Sequence, residues 1–181
     1  AGTCLHSLFE HWDFQQQNEE LNVLVDKTLG QFGIDTEWST TVSSWLEAVV
    51  TTSLDKQSGL TLRDIQPQQR LDEMAFFFPV RQLTAKRLKQ TLMPFVDDYP
   101  ILSPVVKSLQ FVDLSGFMKG FIDLVFENEG RFYIADYKSN WLGTQPDNYQ
   151  QAALDEAMVA HSYPLQYLIY SLALHRYLQT R

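Results

Sequence analysis

Apolar residues recur at helical spacing in six stretches of the chain. Leu5, Leu8, Phe9 and Trp12 mark a helix over residues 3–14, with Thr3 as its N-cap. Leu21, Leu24, Val25, Thr28 and Leu29 mark a second over 20–32, stopped by Gly33. Val42, Trp45, Leu46, Val49 and Val50 mark a third over 39–54, capped by Ser39 or Thr40. A fourth, over 84–93, presents Lys86, Arg87 and Lys89 and ends at Pro94. Tyr149, Ala152, Ala153, Ala157 and Met158 predict a helix over 147–161. The last starts near Pro164 and carries Leu165, Leu168, Ile169, Leu172 and Leu178.

The period changes elsewhere. Met74–Phe78 is a compact apolar run stopped by Pro79, which predicts a strand. Residues 55–70 are polar and read as a loop, with a short strand near Leu60–Leu62. Residues 94–108 carry three prolines and read as connection, and 139–148 as a loop. Between them, Gly120–Lys138 reads as two short apolar strands around a tight turn. This order predicts one α/β domain over residues 1–181, with helices flanking a small mixed central sheet. The sheet is short of strands, and the chain begins Ala-Gly-Thr. Both suggest a piece of a longer protein, with a further strand or tail beyond Arg181.

The hairpin breaks its own pattern. Asp123 interrupts F-I-x-L-V-F, and Asp136 and Lys138 close F-Y-I-A. A carboxylate inside an apolar strand is costly to bury unless it is paired or holds a metal. With a turn at Glu127–Gly130, Phe126 faces Arg131 and Asp123 faces Ile134. Asp123 and Asp136 are then diagonal neighbours on one face, about 7–8 Å apart between the two strands' backbones, so both can reach one ion. A turn of odd length would send one acid to the far face.

Composition narrows the possibilities. With 181 residues, 45% hydrophobic and 20% charged, the chain can bury a core. No apolar run approaches the roughly 20 residues that span a bilayer. One cysteine, Cys4, excludes an internal disulfide and a cysteine-rich zinc site. The net charge of −8 argues against a non-specific nucleic-acid coat. It leaves room for an enzyme on nucleic acid, because acids clustered on a metal subtract from the total.

The hairpin residues fit one chemistry. Asp123 and Asp136 offer the hard oxygen ligands that Mg²⁺ prefers. Lys138 can hold an attacking water or stabilise charge developing on a phosphate. The competing explanation is an ion pair at a sheet edge. Four further residues stay open. His6 sits at the edge of its helical stripe, as a packed or solvated residue unless partners arrive from elsewhere. Glu73 stands at the entrance of its strand, as an accessory acid or a solvated end residue. Gln166 and Tyr170, four apart, share a helix face beside the apolar stripe.

The D-(13)-D-Y-K arrangement resembles the PD-(D/E)xK nuclease motif. Four blocks together are similar to the RecB-type nuclease domains of bacterial helicase–nucleases: G-T-C-L-H-S-L-F-E, G-F-M-K-G-F-I-D-L-V-F, I-A-D-Y-K-S-N-W-L-G and Y-P-L-Q-Y-L-I-Y-S-L-A-L-H-R-Y-L. The resemblance implies a restriction-endonuclease-like fold. It implies that Asp123, Asp136 and the main-chain carbonyl of Tyr137 are metal ligands, with His6 a further one and Lys138 catalytic. The ion would be Mg²⁺, with Mn²⁺ or Ca²⁺ able to take its place. Gln166 and Tyr170 would match a Q-x-x-x-Y motif that contacts DNA or orients the site. The implied activity is phosphodiester cleavage on single strands fed by an attached helicase, in recombinational double-strand break repair. The implied partners are DNA and the RecC and RecD subunits, in the bacterial cytoplasm and not at a membrane. The alternative is an inactive module of the same fold that binds DNA or docks a subunit.

Overall fold

The computed structural model describes residues 2–16, 19–55 and 58–181. In chain order it contains helices α1 (Gly2–His11), α2 (Glu19–Gln31) and α3 (Ser39–Thr51), then strand β1 (Arg70–Leu83) and helices α4 (Ala85–Leu92) and α5 (Leu102–Ser108). Strands β2 (Leu114–Asn128) and β3 (Arg131–Ala135) follow, and helices α6 (Gln151–Ala160) and α7 (Tyr163–Leu178) close the chain. The sheet order is β1-β2-β3, flanked by helices in an α/β arrangement.

The chain divides into two compact units. The first comprises Ala1–Met74 with Ile122–Ser139, the second Ala75–Phe121 with Asn140–Arg181. The core of the first is built by Cys4, Leu8 and Phe9 of α1, Trp12 and Phe14 after it, Leu21, Val25 and Leu29 of α2, and Leu46 and Val50 of α3. Leu124 and Phe126 of β2 join them. In the second unit, Phe78, Leu102, Val105, Val106, Ala173 and Leu174 are buried.

The predicted helices recur, mostly shorter. Helix α1 begins at Gly2, so Thr3 lies inside it rather than capping it, and Trp12 packs just beyond its end. Helix α3 is entered through a 3₁₀ turn over Thr36–Trp38, which Asp35 caps by accepting from the Glu37 N–H at 2.9 Å. Ser39 and Thr40 are therefore first-turn residues and not caps. Helix α6 covers only Gln151–Ala160 of the predicted 147–161, because Pro146–Tyr149 is a 3₁₀ turn.

Three expectations are corrected. No strand forms at Leu60–Leu62; Thr61 and Asp64 instead close a capping box on a 3₁₀ turn over Leu62–Asp64. Residues 56 and 57 of that predicted loop lie outside the described residues. Pro79 does not stop β1, which runs on to Leu83. An edge strand has one side free of ladder bonds, so a residue without an N–H is tolerated there. The connection over 94–108 contains α5, in which Pro104 falls in the first turn and breaks no helical hydrogen bond.

The hairpin register also differs. Asn128 pairs with Arg131, Phe126 with Tyr133 and Leu124 with Ala135, so the turn has two residues rather than four. Glu129 (φ +51°) and Gly130 (φ +75°) both take left-handed backbone, as a two-residue hairpin of this kind demands. The Gly130 N–H donates to the Glu127 carboxylate at 2.6 Å. The usual turn residue, asparagine, sits one place early at Asn128 and ends the strand, which hides the turn in the sequence. Two and four are both even, so Asp123 and Asp136 keep a common face. One step beyond the last pair they stand opposite each other rather than diagonally.

Candidate active site

Asp123 is set by β2, whose neighbouring residues Ile122, Leu124, Val125 and Phe126 are all buried and hold the strand in place. Just past β3, the Tyr137 N–H donates to Asp123 Oδ2 at 2.8 Å. That bond ties the D-Y-K segment back to β2 after the ladder has ended. The Tyr137 ring stacks on Phe9 of α1 with centroids 4.2 Å apart and meets the His6 ring edge-on at 6.1 Å. Burial of Cys4, Leu8 and Phe9 orients α1, and the orientation brings His6 to the carboxylate: His6 Nδ1 lies 3.3 Å from Asp123 Oδ2.

Strand β1 supplies a third group. Glu73 has a left-handed backbone (φ +49°), an expensive conformation for glutamate within a strand. Such a kink re-aims a side chain relative to its neighbours. His6, Glu73 and Asp123 offer ligand atoms that all lie within 4.8 Å of one another. They line a cavity of about 620 Å³ together with Ser7, Glu10 and Phe32. Lys138 Nζ forms an ion pair with Asp136 Oδ2.

Burial, more than neighbouring charge, disfavours the ionised carboxylates of the cluster. Burial pushes the Asp123 carboxyl above its ordinary range; the Tyr137 N–H pulls it back, the Asp136 charge raises it, and His6 and Lys138 lower it. Burial also raises Glu73, with Asp123 and Glu10 adding to the effect and His6 opposing it. One imidazole and the two carboxylates of Glu73 and Asp123 at this spacing suit a divalent ion, with oxygen ligands for Mg²⁺ and a nitrogen that favours Mn²⁺.

A carboxyl with a raised folded pKa adds stability below its unfolded value, and that contribution is lost as pH rises through the folded one. At neutral pH without metal, charged Asp123 is therefore a liability. Asp123→Asn, whose side-chain carbonyl can still accept from Tyr137, is expected to melt no lower than the parent chain at pH 7 in chelator. The parent should gain on the variant as pH falls through the carboxylate range. Melting curves of both across that range check this; a variant that melts several degrees lower at pH 7 contradicts it.

Of the residues singled out in the sequence, His6, Asp123, Asp136, Tyr137 and Lys138 all belong to the first unit. Gln166 and Tyr170 belong to the second, where Gln166 Nε2 donates to the Tyr170 hydroxyl at 2.8 Å and the Tyr170 ring meets Phe76 edge-on at 5.8 Å. Glu73 resolves as a member of the acidic cluster rather than a solvated strand end. Glu10 lies one turn after His6 on α1. Its place on the cavity wall depends on the packing of α1.

Comparison with known proteins gives the family. The model of the PD-(D/E)XK nuclease superfamily matches residues 1–181. The chain is 41% identical over 180 residues to the RecBCD enzyme subunit RecB of Escherichia coli K12, covering 99% of this chain and 15% of that protein. It is 36% identical to the Haemophilus influenzae RecB over 99% of this chain and 14% of that protein, and 28% identical to the Mycolicibacterium smegmatis RecB over 99% and 18%. The chain thus spans less than a fifth of the length of these relatives. Matched along its whole length, it belongs to the PD-(D/E)XK nuclease superfamily, as a nuclease domain of the RecB kind.

Proposed function

We propose that the chain is a metal-dependent deoxyribonuclease domain that cleaves phosphodiester bonds in single strands delivered by an attached helicase. The observation that carries this reading is the convergence of α1, β1 and the β2–β3 hairpin on one acidic cluster with a lysine beside it. Asp123, Asp136, His6 and the main-chain carbonyl of Tyr137 hold the ion, and Glu73 adds a carboxylate. Mg²⁺ is the working ion, and Mn²⁺ or Ca²⁺ can occupy the same donors. Bound there, the ion supplies Lewis-acid polarisation of the scissile phosphate and a water of lowered pKa. Lys138 orients the attacking water and faces the charge that builds on the phosphate. Asp136 holds the lysine ammonium in place. Gln166 and Tyr170, joined by their hydrogen bond, contact the DNA strand or orient the site.

By the same reading the domain works beside RecC and RecD in a RecBCD-like complex, in recombinational break repair in the bacterial cytoplasm. Among the described residues no helix is long and apolar enough to cross a membrane.

The test is a titration of Mg²⁺ and of Mn²⁺ into the chelator-treated chain and its Asp136→Ala variant. Cleavage of labelled single-stranded and duplex DNA is followed in parallel. Metal-dependent cutting of single strands is expected from the parent, and none above background from the variant. No cutting at any metal concentration, with DNA binding indifferent to chelator, identifies an inactive module instead.

A further inference from the structure

The second unit carries a sheet face that no part of the proposed chemistry uses. On β1, Ala75, Phe77 and Arg81 are exposed, and on β2, Ser115, Phe117, Lys119 and Phe121 are exposed. Alternate residues of a strand share a face, so each set lies on one side of its strand. The Phe77 and Phe117 rings stack across the two strands, with centroids 4.5 Å apart and planes 8° from parallel. This puts both sets on the same side of the sheet. Phe78, Val80 and Met118 line an apolar cavity with Leu88 of α4 and Leu168 of α7, and Pro79 borders its rim. The unit's helices therefore cover the other side.

Phe77, Phe117 and Phe121 are 65%, 66% and 59% exposed, which is unusual for phenylalanine in the middle of a strand. Lys119 lies between Phe117 and Phe121 along β2, and Arg81 lies farther along the same face of β1. Charge separates the units in the same sense. The second has eight lysines and arginines against six aspartates and glutamates, whereas the first has six against sixteen. The acidity of the chain as a whole hides a net positive half.

We infer that this face binds single-stranded DNA, with bases stacking on Phe77, Phe117 and Phe121 and the backbone phosphates meeting Lys119 and Arg81. Flat, exposed aromatic side chains interleaved with cations match the two parts of a single strand, its unpaired base faces and its charged backbone. Duplex DNA hides its base faces and gains only the charge contacts. A protein partner would need carboxylates placed to meet both cations, whereas a nucleic-acid backbone carries a charge at every step, and a second copy of the chain would bring like charge to the same face. The inference rests on the reading of DNA as substrate and adds a holding surface to it, one that needs no metal.

The experiment measures anisotropy of a fluorescein-labelled oligo(dT) with the 181-residue chain in EDTA, so that binding is read without cleavage. The parent is expected to bind, and Phe77→Ala/Phe117→Ala to bind at least about tenfold more weakly, in line with the cost of losing base–aromatic stacking. Phe77→Leu/Phe117→Leu stays apolar but cannot stack, and it should fail similarly. Phe117→Trp should retain binding and report it by quenching. Lys119→Ala should lower the slope of log affinity against log salt by about 0.7.

Unchanged affinity in the alanine pair overturns the inference. Parent-like binding by the leucine pair shows that apolar docking, and not stacking, holds the strand, and overturns it too. So does a parent that sediments as a dimer and becomes monomeric in the alanine pair, since the face then joins two copies. Metal-dependent cutting that survives when the alanine pair binds normally sinks this inference alone. Binding lost in the alanine pair, with no cutting by the parent at any metal concentration, sinks the nuclease reading and leaves this one.

Discussion

Lys138→Ala is expected to slow metal-dependent cleavage by about 10²–10³-fold, the usual cost of removing one group aimed at developing charge. The lysine is three residues past the end of β3, and its ammonium pairs with the Asp136 carboxylate. Removing it leaves that carboxylate with less positive charge nearby. The metal concentration for half-maximal cleavage should therefore stay the same or fall, even as the maximal rate drops. A lysine serving only as a structural counter-charge predicts the reverse: a disturbed fold, weaker metal response and little intrinsic loss of rate. Lys138→Arg keeps the charge but spreads it over a planar fork, and it should recover only part of the rate. The decisive measurement is the maximal rate and the metal midpoint, determined separately for the parent and both variants. A fully active Lys138→Ala chain excludes the assigned role.

Arg70→Ala is expected to cost about 3–5 kcal/mol of stability, the range for breaking a buried charge pair by removing one partner. The Arg70 side chain is only 7% exposed. Its Nη2 donates to the Trp12 carbonyl at 2.6 Å, and its Nε lies 3.3 Å from Asp72 Oδ2. The guanidinium sits 3.8 Å from the centroid of the Phe14 ring. It thus joins the base of β1 to the segment that leaves α1. Asp72, already pushed up by burial, would lose the cation that pulls its pKa back. A loss of this size lowers the melting temperature by roughly 2–4 °C per kcal/mol in a chain of this length. Denaturant midpoints should show it, and Asp72→Asn added to Arg70→Ala should restore part of it. A cost under about 1 kcal/mol means that water reaches the pair and the burial is not maintained.

The parts of the fold legible in the sequence were those governed by short-range pattern. Helices α2, α3 and α7 follow their apolar stripes, and the D-x-K hairpin follows from charges placed where a strand should be apolar. What the sequence concealed depends on neighbours. Pro79 reads as a stop until β1 is known to be an edge strand. Helix α5 is hidden by a proline that is harmless in a first turn. The turn at Glu129–Gly130 places a glutamate where asparagine is favoured, so the local signal pointed two residues astray. The face shared by Asp123 and Asp136 survived that error because parity, and not loop length, decides it. Within the site, His6 and Glu73 could not be joined to Asp123 by spacing. One depends on how α1 packs through Phe9 and Tyr137, the other on a left-handed residue in β1.

The contact between His6 and Asp123 joins residues more than a hundred positions apart, whereas Asp123, Asp136 and Lys138 lie within one hairpin. Hairpins close in microseconds, and contacts of long sequence separation wait for most of the chain to be arranged. Half of the acidic cluster can therefore exist early, as a local structure with no imidazole beside it. During synthesis the imbalance runs the other way, since α1 is made first and has no carboxylate of β2 to meet until most of the domain has been translated. Under either order the assembled donor set appears only when α1, β1 and the hairpin have all docked. If the proposed site is the cutting one, a chain that is half made or half folded carries its residues without the means to cut.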